Sequence, residues 1–174
     1  MTELLRAACF AAEKHAEQRR KGGAAEPYVN HVLEVARLVA DSLDVPDEPL
    51  VMAALLHDTV EDTDTTFEEL AEVFGEDIAS LVAEVTDDQN LPKAERKRLQ
   101  IEHAHSRTQR AQAIKIADKI ANLRSLLHSP PAGWDEARKS EYVEWARQVV
   151  AALPAPNLKL RVEFERTWRR YLGL

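Results

Sequence analysis

The chain is 174 residues long, 45% hydrophobic and 30% charged, with five glycines and one cysteine. That balance fits a single globular domain, 1–174, with a real core, and so few glycines argue against a turn-rich β architecture or a glycine-cradled phosphate site. A formal net charge of −7 speaks against general nucleic-acid binding, which depends on positive fields to release counterions, although a local basic pocket for a small anion remains compatible with it.

The helical period dominates from the start. Leu4, Leu5, Ala8, Ala11 and Ala12 predict a first helix ending near Gln18. Val32, Val35, Ala36, Val39 and Leu43 recur at helical spacing and predict a second. Val45 to Pro49 is a break, after which a third helix is expected from about Leu50 through His57 and Asp58. Thr65 or Thr66 is a candidate N-cap, each with a glutamate three residues on. Gly75 suits the left-handed end of the short helix that follows. Further helices are predicted at about 76–86, 93–104, 108–128, 135–152 and 157–172, with Pro130, Pro131, Pro154 and Pro156 separating the last three. No stretch alternates with period two for long enough to make a strand, so the fold class is all-α.

No apolar run approaches the ~20 residues of a membrane helix. The start, Met1 to Arg6, lacks the basic-then-apolar layout of a signal peptide. Lone Cys9 cannot form an internal disulfide, which makes a reducing cytoplasm the expected compartment.

Chemistry should lie where polar groups interrupt apolar helix faces. His57 and Asp58 follow the apolar run from Ala53, with Glu61 and Asp62 one turn further on. Three carboxylates that close repel one another unless a cation or proton compensates. One helix offers too few ligands for a metal. His31 opens the second helix, and Asp118 sits among Ile116, Ala117 and Ile120, one turn before Asn122. An unpartnered carboxylate in such surroundings is expensive to bury. A ligand set of His31, His57, Asp58 and Asp118 would answer both difficulties. Two imidazoles and two carboxylates suit Mn²⁺ or Fe²⁺ better than Ca²⁺, with Co²⁺ and Zn²⁺ as further candidates. By spacing alone, the metal reading and a purely structural one stand about even.

Longer stretches carry a family resemblance. His15 to Lys21, Pro27 to His31, Ala53 to Thr66, Val85 to Gln100, Lys115 to Lys119 and Glu141 to Trp145 occur in the order found in the hydrolase domain of the RelA/SpoT homologue family. The chain is most similar to the small stand-alone alarmone hydrolases of the metazoan SpoT-homologue type, which are HD-domain phosphohydrolases. The resemblance implies an HD-domain helical bundle around one Mn²⁺ held by His31, His57, Asp58 and Asp118. It also implies that Glu61 and Asp62 position and deprotonate the attacking water. The implied reaction is removal of pyrophosphate from the 3′ position of ppGpp or pppGpp, leaving GDP or GTP. Arg20, Lys21, Lys93, Asn122, Arg138 and Tyr142 are the expected substrate contacts, with Lys97 a further cation nearby. The partner is then a small nucleotide, with neither nucleic acid nor membrane; the pattern carries no signal for oligomeric state.

Three departures from the family pattern stand out. Val32 replaces the usual proline after the ligand histidine, Ala121 replaces the His or Tyr before Asn122 and would widen the pocket, and Gly22 to Glu26 reads as a mobile insert. Other residues have plainer readings. His15, His103, His105 and His128 read as surface or supporting groups, Arg96 and Arg98 as a solvated face, and Trp134, Trp145 and Trp168 as core. The plain partner for Asp118 is Lys115, and Tyr142 is balanced between packing and substrate contact. The competing functions are phosphate removal from another nucleotide, such as the 2′-phosphate of NADPH or a deoxynucleotide, and a catalytically silent nucleotide-binding domain.

Overall fold

The structure, a computed structural model, describes residues 2–154 and 157–174; Met1, Ala155 and Pro156, the last expected in the break before the final helix, lie outside them. The described residues form α1 (Thr2–Lys14), α2 (Val29–Ser42), α3 (Glu48–Leu56), α4 (Thr59–Asp62), α5 (Phe67–Phe74), α6 (Glu76–Val85), α7 (Lys93–Glu102), a 3-10 turn, α8 (Gln109–His128), α9 (Glu136–Ala152) and α10 (Leu158–Leu172). Only isolated bridges, Arg19 with Pro27 and Gly22 with Pro131, stand outside this all-α pattern among the described residues.

Two helices make the centre. α3 buries every residue from Met52 to Leu56, and a helix apolar all round belongs inside; it packs on α1, α2 and α6. Its start is set by Asp47, whose carboxylate accepts the Leu50 N–H, and by Pro49 in the first turn. α8 is the second, carried by Ile114, Ile116, Ile120 and Leu123, all fully buried, with α2, α6, α9 and α10 around it. Thr108, Asp135 and Asn157 cap α8, α9 and α10 through side-chain oxygens.

Local departures from expectation have physical causes. α1 stops at Lys14 rather than near Gln18, because 15–18 wind into a tight turn. Its buried seam runs through Ala7 and Ala11, leaving Leu5 61% exposed. The helix predicted to run from Leu50 through Asp58 breaks at Asp58, whose φ of −102° and ψ of −2° mark the joint between α3 and α4. Thr66, not Thr65, caps α5 by accepting the Glu69 N–H; Thr65 is buried against the Thr63 hydroxyl. Gly75 has positive φ (91°) as expected, but its ψ of 160° is extended, which turns the chain straight into α6.

The insert expected to be mobile is stitched down. Arg20 N–H donates to the Glu26 carbonyl and Ala25 N–H to the Gly22 carbonyl, the Ala24 N–H reaches the Ser129 hydroxyl, and Gly22 bridges Pro131. Gly22 is required by close approach: a Cβ there would overlap the carbonyl and hydroxyl of Ser129, whereas one on Gly23 would meet nothing. Gly22→Ala should therefore destabilise the fold by about 1–3 kcal/mol, lowering the melting temperature by several degrees. Gly23→Ala should stay within about 0.5 kcal/mol of the parent. Thermal melts of the two variants side by side check this.

Candidate active site

The first turn of α2, the α3–α4 joint and the middle of α8 meet at one point. His31, His57 and Asp118 each offer a ligand atom, all lying within 4.8 Å of one another. Asp58 stands beside them, its Oδ2 3.4 Å from His31 Nε2 and 3.1 Å from His57 Nε2, while Asp118 Oδ1 is 3.3 Å from His31 Nε2. His57 Nδ1 lies 2.8 Å from the Ala54 carbonyl. A carbonyl only accepts, so Nδ1 carries the proton. The Nε2 atoms of both histidines are buried with no hydrogen-bond partner. Two orphaned imidazole nitrogens facing carboxylate oxygens form a donor set that fits a divalent cation.

Electrostatics tells the same story from the proton's side. Burial alone would raise both carboxyls, yet His57 and His31 hold Asp58 well below the usual carboxylate range, and Lys119 with His31 does the same for Asp118. Burial would lower His57, but Asp58 and Asp118 outweigh it and push the imidazole up to about 9. The pocket is thus built for positive charge.

Supporting groups surround this cluster. The Tyr28 hydroxyl donates to Asp58 Oδ2 at 2.6 Å. The partner expected for Asp118, Lys115, goes instead to Asp87 at 3.6 Å, and Lys119 takes its place on Asp118 at 2.8 Å. The Lys119 ammonium sits over the Trp145 ring, 4.7 Å from its centroid. Asn122 donates to Asp118 at 2.6 Å and accepts from Arg20 at 3.0 Å, so its amide braces the cluster from the cavity side. Glu61 accepts the Asp87 N–H at 3.2 Å and sits 3.7 Å from Arg96. Burial, reinforced by Asp58 and Asp87, raises its carboxyl.

Above the cluster opens a cavity of about 720 Å³, within the range of small-molecule sites. Every site residue singled out from the sequence lines it except His31, which sits behind His57 and Asp58. One wall is cationic. Lys93 is lowered by burial and by Lys97, Arg138, Lys21 and Arg96 around it, like charges gathered on one side of the cavity. The far wall is aromatic, with Tyr142 between Trp134 and Trp145 at ring separations of 5.6 and 5.4 Å, and Arg138 over Trp134 at 4.7 Å. Burial pushes the Tyr142 hydroxyl up to about 12, leaving it a donor at neutral pH.

Several plain readings change. Arg96 is no solvated side chain, since it faces Glu61 and lines the cavity; Arg98 remains exposed, paired with Glu95 and Glu102. Trp134 and Trp145 belong to the cavity wall, whereas Trp168 packs on the core. Ala121 is 1% exposed inside the core, so it does not widen the pocket. His103, His105 and His128 are exposed and outside the cavity. Tyr28, Asp87 and Lys119 escaped the sequence reading. Lys119 had a usable signal, a charge among isoleucines like that of Asp118, while Tyr28 and Asp87 have roles that only tertiary contact creates.

Comparison with known proteins agrees with this geometry. A family model of the HD domain matches residues 7–153. The guanosine-3′,5′-bis(diphosphate) 3′-pyrophosphohydrolase of Xenopus tropicalis is 53% identical over 154 residues, 88% of this chain and 86% of its own. The protein of that name from Homo sapiens is 51% identical over 158 residues, 91% of this chain and 88% of its own. A solved structure of a metazoan orthologue of SpoT, described as hydrolysing ppGpp, superposes with a TM-score of 0.94 at 44% identity, covering 100% of this chain and 98% of that one. The chain belongs to the HD-domain family and, within it, to the metazoan SpoT-type members of the RelA/SpoT homologues.

Proposed function

We propose that the protein is a metal-dependent pyrophosphohydrolase that removes the 3′-pyrophosphate of ppGpp or pppGpp, leaving GDP or GTP, and that its ion is Mn²⁺. The observation that carries this reading is one cavity with a His/His/Asp cluster and two carboxylates at its floor, a cationic wall beside them and an aromatic wall opposite. The names of the relatives support the substrate. The catalytic domain is read as the whole of 1–174, because residues lining the cavity come from Gln18 through Trp145 and α10 packs on α8.

His31, His57, Asp58 and Asp118 would hold the ion. When bound, such an ion neutralises phosphate charge and lowers the pKa of water. The chain's own groups do the rest. Lys21, Lys93 and Arg138 draw the phosphates in, with arginine able to grip two oxygens at once. Arg20 and Asn122 carry that positive wall down to Asp118. Tyr142 donates from the far side. Glu61 and Asp62 orient the attacking water and take its proton as it adds to phosphorus; the bond to the 3′ oxygen breaks, and a proton passes to that oxygen to give the 3′-hydroxyl. Glu61 suits that work, since burial keeps its carboxyl above the usual range and hence a better base.

Purified protein stripped by a chelator should release no pyrophosphate from ppGpp and should recover on adding Mn²⁺. A metal-loaded, folded sample that leaves ppGpp intact would overturn the substrate, and turnover of NADPH at its 2′-phosphate instead would reassign it. Asp62→Asn should keep the metal and the fold yet lose 10²–10⁴-fold in kcat, whereas Asp118→Ala should lose the metal as well; metal analysis alongside the rate separates the two. Tyr28→Phe removes the donor on Asp58 and should weaken Mn²⁺ binding about 10–100-fold, read by metal titration.

A further inference from the structure

Of the His15 to Lys21 segment, the site described above uses only Arg20 and Lys21. Yet His15 is 1% exposed, with its Nε2 buried and unpartnered, an unusual position for a histidine that merely fills space. Its Nδ1 lies 2.5 Å from the Oε1 of Gln18. Gln18 in turn directs its Nε2 to Asp62 Oδ2 at 2.9 Å. We infer that Gln18, locked by His15, is a positioning residue that aims the Asp62 carboxylate at the attacking water. This rests on the role for Asp62 proposed above.

The chemistry leaves one arrangement. A carboxylate accepts and cannot donate, so the group that Gln18 turns to Asp62 must be its NH₂. Its oxygen then faces His15, and that oxygen also only accepts, so His15 carries its proton on Nδ1. The reverse amide orientation would set two acceptors against each other at Asp62. Gln18 is also held by its backbone. Its N–H donates to the His15 carbonyl and its own carbonyl accepts the Tyr28 N–H, each at 3.0 Å. The His15 ring packs on Tyr28 with centroids 4.9 Å apart, and Tyr28 holds Asp58. One aromatic pair, His15 buried and Tyr28 half-buried, thus steadies both the metal-side carboxylate and the water-side one.

A neutral donor is the right choice for this task. Asp62 is exposed, and a free carboxylate there would rotate among orientations. A lysine or arginine would hold it still but lower its pKa and weaken it as a base. The glutamine amide fixes Oδ2, leaves Oδ1 for water and adds no charge.

The test compares Gln18→Ala, Asp62→Asn and the double variant as Mn²⁺-loaded proteins acting on ppGpp, with metal content and melting temperature measured for each. Gln18→Ala should lower kcat about 10–100-fold with KM, metal content and melting temperature unchanged, and should cause no further loss in the Asp62→Asn background. His15→Phe, which keeps a ring against Tyr28 and removes the donor, should lower kcat in the same direction. Unchanged kcat in Gln18→Ala, or a full second loss in the double variant, overturns the inference while leaving the role of Asp62 intact. Full activity in Asp62→Asn alone overturns the role of Asp62 and the inference with it.

Discussion

Two half-buried carboxylates standing side by side are the constraint around which this molecule is arranged. Asp58 and Asp118 are placed by elements separated by sixty residues of chain, and neither survives in the interior without positive charge beside it. Lys119 supplies part of that charge at Asp118, and the unpartnered Nε2 atoms of His31 and His57 face both carboxylates, where a cation would supply the rest. The core helices serve this placement. α3 delivers His57 and Asp58 at its end, α8 brings Asp118 from its middle, and α2 closes the triangle with His31.

The break after α3 matters as much as the helices do. A continuous helix would have sent Asp58 and the following turn onward along one axis. The break at Asp58 separates α4 from α3, and Glu61 and Asp62 line the cavity beside the metal ligands. Glu61 is then caught between the Asp87 N–H and Arg96, and Asp62 is met by Gln18. Two hydrogen bonds and one ion pair from three different parts of the chain therefore meet two nearby carboxylates.

What could be read from the sequence was whatever shows as a local contradiction. A His-Asp pair after an apolar run, a carboxylate between isoleucines and a histidine opening an apolar stripe all break a pattern, and all four residues meet in the fold. Caps and prolines marked most helix ends to within a residue or two. The break at Asp58 was hidden because neither glycine nor proline announces it. Tyr28, Asp87 and Gln18 were invisible for a different reason: a tyrosine, an aspartate in a loop and a glutamine after a helix are ordinary where they stand, and acquire meaning only from a partner far along the chain. Arg96 was misread because a basic run looks solvated until another element covers one side of it. The Gly22 to Glu26 loop looked loose by composition, but its backbone hydrogen bonds together with its contacts to Ser129 and Pro131 tie it down.

The cationic wall lies in a chain of net charge −7, and that opposition governs how an anion arrives. At a distance a multiply charged anion meets the repulsive field of the whole molecule. Within a few ångströms of Lys93 and its neighbours it meets attraction instead. At ~0.15 M salt the Debye length is about 8 Å, so mobile ions mute the distant field more than the contacts inside the pocket. Capture of such a ligand is therefore helped by moderate ionic strength, the reverse of the behaviour of proteins that draw anions in with a positive surface.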